Sequence, residues 1–232
     1  MKVTPYGRRE IVAAGLLAGL AAALVAVLAW AFSPLFLIAL ALPLGGWILV
    51  LTFFRDPPRE APSAEGLFVS PADGRVADIT PIGPDSPLGA DGVQVGIFMS
   101  VFDVHVNRCP ETGRVDRIER RRGAFLDARD PQAAGRNEAT TIRITCARGE
   151  TSFPIVVRQV AGLIARRIVT DLAEGQNVRR GQRIGMIKFG SRVELMVPRG
   201  QAGRVLVEVG RRVRAGQTVL IAAGDNSNDP PR

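Results

Sequence analysis

Apolar and polar positions divide this chain into two unlike parts. From Ile11 to Phe54 no residue is charged, a run of 44 positions. As one helix it would be roughly 66 Å long at about 1.5 Å per residue, whereas a bilayer core is about 30 Å thick. The run therefore predicts two spans, near 11–31 and 34–53, broken at Ser33-Pro34, because proline disfavours helix at the residue before it. Gly15 and Gly19 in the first span have the small-xxx-small spacing that lets helices approach. The run is too long for a cleaved signal peptide and continues into a second span. Arg8 and Arg9 precede it and Arg55 and Arg59 follow it, which predicts both ends on the cytoplasmic side of the cell membrane. Arg55 and Arg59 are then placed to reach lipid phosphates.

Beyond residue 60 the pattern changes to short Val/Ile-rich runs set off by Gly, Pro and Asp, the signature of β-structure. Runs at 74–79, 93–100, 113–118, 140–146, 153–160, 183–189, 192–197, 203–209 and 217–222 read as strands, and 162–171 is ambiguous. The predicted fold is mainly β, a barrel or sandwich behind an N-terminal transmembrane helical hairpin. The organisation expected is 1–59 as membrane anchor, 60–224 as an all-β catalytic domain and 225–232 as a disordered tail. One repeat stands out: Gly175-Gln176-Asn177-Val178 through Gly181-Gln182-Arg183-Ile184 matches Gly210-Arg211-Arg212-Val213 through Gly216-Gln217-Thr218-Val219, 35 positions later. The pattern resembles the hairpin half of biotinyl- and lipoyl-like barrels.

Charge narrows the partners. The formal net charge is +8, and lysine occurs only at Lys2 and Lys188. A basic balance suits nucleic acid or an anionic membrane, and the apolar run favours the membrane over nucleic acid. Cys109 and Cys146 form no metal-binding spacing, so no metal is expected. His105 is the single histidine, hence the single imidazole available for acid–base work.

Three places carry candidate chemistry. Gly190-Ser191 sits between two strand runs, and a glycine with no Cβ leaves its carbonyl open to the hydroxyl one residue on. The same pair also suits a bulge or tight turn. Asp73 lies in a Ser70-Pro71-Ala72-Asp73-Gly74 turn, where Asp commonly makes a local hydrogen bond. Strand alternation through 103–107 puts Asp103, His105 and Asn107 on one face and Phe102, Val104 and Val106 on the other. Asp73, His105 and Ser191 would supply orienter, base and nucleophile.

These segments together resemble the phosphatidylserine decarboxylase family, in its short bacterial and archaeal form. The resemblance rests on the apolar N-terminal hairpin, Phe54-Arg55-Asp56-Pro57, Ser70-Pro71-Ala72-Asp73-Gly74, Asp103-Val104-His105-Val106-Asn107, Asn137-Glu138 and Phe189-Gly190-Ser191-Arg192-Val193. It implies a proenzyme that cuts itself between Gly190 and Ser191, with His105, oriented by Asp73, deprotonating the hydroxyl. It further implies that Ser191 becomes a covalent pyruvoyl cofactor, leaving a β chain of 1–190 and an α chain of 191–232 held together as a heterodimer. The pyruvoyl carbonyl would condense with the serine amine of phosphatidylserine and draw electrons as carbon dioxide leaves, giving phosphatidylethanolamine. His105 would donate the closing proton. Higher homo-oligomerisation stays open. Arg108 departs from the family by standing where longer relatives carry a second histidine, and Ala139 departs from the usual Asn-Glu-Arg. Phe125 and Leu126 are candidates to dip into the membrane interface. The alternative is a membrane-anchored serine peptidase of signal-peptidase type, with Lys188 as base. Lys188 lies three residues from Ser191, however, and strand neighbours alternate faces.

Overall fold

A computed structural model describes residues 2–127, 133–163, 167–188 and 190–224; the predicted disordered tail lies outside them. The chain divides into two compact units, Met1–Pro58 and Arg59–Arg232.

The first unit is a helical pair. Helix α1 (Arg8–Ala31) ends just before Ser33, whose hydroxyl accepts from the Leu35 N–H at 3.3 Å. A 3₁₀ segment (Pro34–Leu40) then leads into α2 (Ala41–Phe53). Both helical stretches, Pro5–Ala31 and Pro34–Phe53, are long and apolar enough to cross a membrane. Their large side chains, among them Leu16, Leu20, Leu24 and Trp30, face outward, where water would solvate them poorly. Of the two spaced glycines only Gly15 makes room for a neighbour: a Cβ there would meet the Trp47 indole nitrogen at 3.0 Å, while Gly19 faces open space. Chain entry and exit are tied together, Thr4 N–H donating to the Phe54 carbonyl and Asp56 N–H to that of Lys2, each at 2.8 Å.

The second unit is β. Its strands are β1 (Leu67–Val69), β2 (Gly74–Ile82), β3 (Gly92–Met99), β4 (Val106–Arg108), β5 (Gly113–Arg121), β6 (Ala139–Arg148) and β7 (Thr151–Ala161). They continue with β8 (Ile168–Thr170), β9 (Asn177–Val178), β10 (Arg183–Ile187), β11 (Ser191–Pro198), β12 (Arg204–Val205), β13 (Arg212–Val213) and β14 (Val219–Ala222). An eight-stranded curled sheet runs β13-β2-β3-β11-β7-β6-β5-β9, and two three-stranded sheets run β1-β14-β12 and β4-β10-β8. Val95, Ile97, Ile142, Ile155, Val193 and Leu195 are central to one shared core. Burying each such side chain contributes about 1.5–3 kcal/mol.

Two predicted strands are cut short. The run at 203–209 pairs in register with β14 only at Arg204 and Val205, with Leu206 N–H adding one bond to the Leu220 carbonyl at 2.8 Å. The run through 103–107 begins only at Val106. Asp103 instead closes a turn, its carboxylate accepting from the Ser100 N–H at 2.9 Å and hydroxyl at 2.7 Å, a local bond that competes with the strand ladder.

The sequence repeat corresponds to a structural one. Gly175, Gly181, Gly210 and Gly216 all have φ between 73° and 89°, which explains glycine at these four places. Gly175 N–H donates to the Val115 carbonyl and Val115 N–H to that of Gln176. Gly210, Val76 and Arg211 repeat this arrangement at the other edge of the sheet. Both host strands, β2 and β5, shift register beside that valine.

Candidate active site

Ser191 opens β11, the strand between β3 and β7. Its register partners are Met99 on one side and Ala161 on the other. One row further in, Arg75, Phe98, Arg192 and Val160 lie abreast across β2, β3, β11 and β7. Asp73 precedes β2 at this same end, two strands from Ser191, or roughly 10 Å at about 4.8 Å per strand. The fit is close: a Cβ on Gly74 would stand 2.0 Å from the Phe98 carbonyl oxygen. Strand β4 reaches the same turn, since Arg108 N–H donates to the Pro71 carbonyl at 2.9 Å.

Gly190 has φ +50°, with nothing within 4 Å of where a Cβ would stand. Ser191 is fully buried, and its hydroxyl lies 3.5 Å from the Met99 sulfur, a weak acceptor. His105 is also fully buried. Its Nδ1 lies 2.9 Å from the Asp103 carbonyl oxygen. A carbonyl only accepts, so Nδ1 is the donor in this contact. The structure thus supplies a main-chain orienter for the imidazole.

Asp73 is engaged elsewhere. Arg59 grips both of its carboxylate oxygens, the second at 2.8 Å, and the Ala215 N–H donates to the first at 2.8 Å. Arg59 also donates to the Ala215 carbonyl at 2.9 Å. Asp73 and Ser191 therefore lie at the same end of the eight-stranded sheet, and His105 lies just before β4, which reaches the Asp73 turn through Arg108. Arg59, expected at lipid phosphates, is instead buried against this carboxylate, because a nearly buried Asp requires a paired cation.

A polar chain inside the core reaches Ser191 from the other side. Thr170 donates to Gln159 at 3.1 Å, Gln159 to Asn107 at 2.8 Å, and Asn107 contacts the Met99 sulfur at 3.7 Å. Sequence reading singled out Asn107 as a strand neighbour of His105 but missed Gln159 and Met99, which look like ordinary strand residues. Asn137, noted without a role, is buried and donates to the carbonyls of Leu126 at 2.9 Å and Ala161 at 2.7 Å. Ala161 is the cross-strand partner of Ser191. Phe125 and Leu126 are half-buried here, and Phe125 packs against the main core. Among the described residues, Val101, Phe102 and Leu163, which follow the two register partners of Ser191 in the chain, are exposed apolar side chains.

The opposite face of β11 is charged and equally buried. Arg192 forks onto Asp78 at 2.5 and 2.8 Å and donates to Glu194 at 2.8 Å. Glu194 accepts from Arg158 at 2.6 Å. Burial alone would weaken the Arg192 charge, but hydrogen bonds and the charges of Asp78 and Glu194 more than offset it, and its pKa is raised. A large open cleft of about 1170 Å³ lies away from all this, between Glu65, Arg114, Arg148 and Arg180 at the far ends of β6 and β7. It does not include Ser191, His105 or Asp73.

Comparison with known proteins assigns the family. The phosphatidylserine decarboxylase family model matches residues 48–221. A phosphatidylserine decarboxylase proenzyme of Paramagnetospirillum magneticum is 43% identical over 205 residues, covering 82% of this chain and 83% of that protein. One from Nitrobacter winogradskyi is 42% identical over 203 residues, with 84% and 76% covered. One from Cereibacter sphaeroides is 45% identical over 184 residues, with 75% and 77% covered. With the matched model spanning most of the chain and relatives this similar, the chain belongs to the phosphatidylserine decarboxylase family.

Proposed function

We propose that this chain is a proenzyme that cuts itself between Gly190 and Ser191 and then decarboxylates phosphatidylserine to phosphatidylethanolamine. The observation that carries the reading is a buried serine at the head of a central strand, directly after a left-handed glycine, in a chain of this family. In the first stage the Ser191 oxygen adds to the Gly190 carbonyl carbon, the C–N bond breaks, and an ester replaces the peptide. Removal of the Cα proton of residue 191 then expels the Gly190 carboxylate. Water displaces the nitrogen, which leaves as ammonia. His105, with Nδ1 donating to Asp103, is the base proposed for these proton transfers and the donor proposed for the product. Asp73 acts by fixing the turn beside β4 through Arg59 and Ala215.

A pyruvoyl group suits the residues present. The departing Ser191 oxygen makes its described contact to a thioether, so its loss strands no strongly bonded polar partner. When formed, that group supplies an electron sink for the pair left as carbon dioxide departs. The chain's own residues hold the strand and bury the site: Met99 and Ala161 flank position 191, and Asn107, Gln159 and Asn137 fix the surrounding segments.

The products are a β chain of 1–190 and an α chain of 191–232. Residues 1–59 are the anchor that keeps 60–224 on the cytoplasmic face of the cell membrane, supported by the two apolar helical stretches and their basic flanks. The substrate is then met in the same bilayer. On a denaturing gel the protein should run as fragments of 190 and 42 residues, the shorter carrying a carbonyl trappable by hydrazine, and Ser191→Ala should stay whole. Lipid extracts of expressing cells should show serine-headed lipid converted. A single unbroken wild-type chain without a trappable carbonyl would sink the reading.

A further inference from the structure

The charged row on the outer face of β11 has no part in the chemistry above, yet it begins at Arg192, the second residue after the proposed cut. Asp78, Gly96, Glu194 and Arg158 stand abreast in register across β2, β3, β11 and β7. Arg192 lies over this row, forked onto Asp78 at 2.5 and 2.8 Å and bonded to Glu194 at 2.8 Å. Glu194 is fully buried and takes Arg158 at 2.6 Å on its other oxygen. Gly96 is what admits the guanidinium: a Cβ there would lie 2.2 Å from Arg192 Nη2 and 2.8 Å from Asp78 Oδ1.

Cutting changes what holds the start of β11. In the whole chain, residue 191 is fixed by its peptide bond to Gly190 and offers an N–H to the ladder. In a cut chain both are gone, because the nitrogen has left as ammonia, and Arg192 becomes the first residue with a backbone donor. A strand end with fewer ladder bonds frays readily. Asp78 and Arg158 both lie in the 1–190 piece, whereas Arg192 and Glu194 lie in the 191–232 piece. The network therefore crosses between the two prospective chains next to the reactive position.

We propose that the Asp78–Arg192–Glu194–Arg158 network is a positioning clamp that holds the new chain end in register after the cut, so that the reactive carbonyl stays between Met99 and Ala161. This rests on the self-cleaving reading above. Asp78 is the place to test it, because its side chain is 31% exposed and Asn has nearly its shape. Asp78→Asn is expected to fold and cut as wild type does. Its kcat on phosphatidylserine vesicles should fall about tenfold, the scale of a sub-ångström misplacement, with KM held within about twofold. Asp78→Glu, which restores the charge, should recover part of that loss.

A merely structural ion pair would act alike in cut and uncut protein. The same substitution is therefore made in Ser191→Ala, which stays whole in this reading. Asp78→Asn should lower the urea concentration that releases 191–232 from cut protein by more than it lowers the unfolding midpoint of uncut protein. If Asp78→Asn fails to accumulate, raising salt from about 0.05 to 1 M weakens the partly exposed Asp78 end in its place, with the same comparison. Equal shifts in cut and uncut protein, an unchanged kcat, or a folded variant that no longer cuts would each overturn the clamp alone. An uncut wild type removes the parent reading and the clamp with it.

Discussion

At the scale of single residues, the chain places unusual demands on Gly190. Its φ of +50° lies where side chains other than glycine are strained, and the space around it is open. Gly190→Ala therefore tests backbone conformation without steric obstruction. The strain is about 1–2 kcal/mol. If cutting requires this conformation, the 42-residue fragment should appear about 5- to 30-fold more slowly in a time course of freshly made protein. A rate equal to wild type would show that the scissile bond reacts from another conformation. The His105 ring is held by a main-chain carbonyl, that of Asp103, 2.9 Å from Nδ1.

At the scale of elements, Arg59 and the turn at 70–74 form one piece. The Arg59 and Asp73 side chains are 6% and 13% exposed, so neither charge can be left alone cheaply. Arg59→Ala should destabilise the second unit by about 3–5 kcal/mol, while removing both charges in Arg59→Ala with Asp73→Ala should cost less than the sum of the single changes. Thermal denaturation of the four proteins measures this. Most strands were legible from period-two Val/Ile runs, and the glycine repeat was legible because four left-handed turns demand glycine. Ser191, His105 and Asp73 could be picked out as candidates, since a lone histidine and Gly/Asp turns stand out. What strands do side by side was not legible. Arg192 and Glu194 alternate with Val193 and Leu195, as on a half-solvated strand, yet both are buried because partners arrive from β2 and β7. Gln159 and Met99 gave no signal for the same reason: their roles depend on neighbours tens of residues away. Asp103 misled, since a side chain that bonds its own backbone ends a strand that pattern alone would continue.

At the scale of the whole molecule, the two thiols set an alkaline limit. Burial raises Cys109 from 9.0 to about 12, against the lowering effect of its hydrogen bond to the Glu111 carbonyl. Cys146 is raised as well, first by burial and then by the neighbouring Cys109 and Glu111. A thiol whose folded pKa is raised adds stability that is fully present below pH 9 and is lost as pH climbs from about 9 towards 12. The slope is at most about 1.4 kcal/mol per pH unit for each thiol. Urea midpoints measured at pH 8, 9 and 10 should fall across this window, and Cys109→Ala should flatten the fall. A midpoint that rises with pH would contradict the assignment.

The placement of β11 has a further consequence. The short piece from 191 onward would supply the middle strand of the large sheet, along with β12, β13 and β14. Withdrawing it would bare the flanks of both β3 and β7 and open the shared core. If the chain is cut as proposed, two differently mutated copies made in one cell are expected not to trade halves. Every mature molecule would keep the fragment it was synthesised with, and a defect in either fragment could not be rescued by a healthy neighbour.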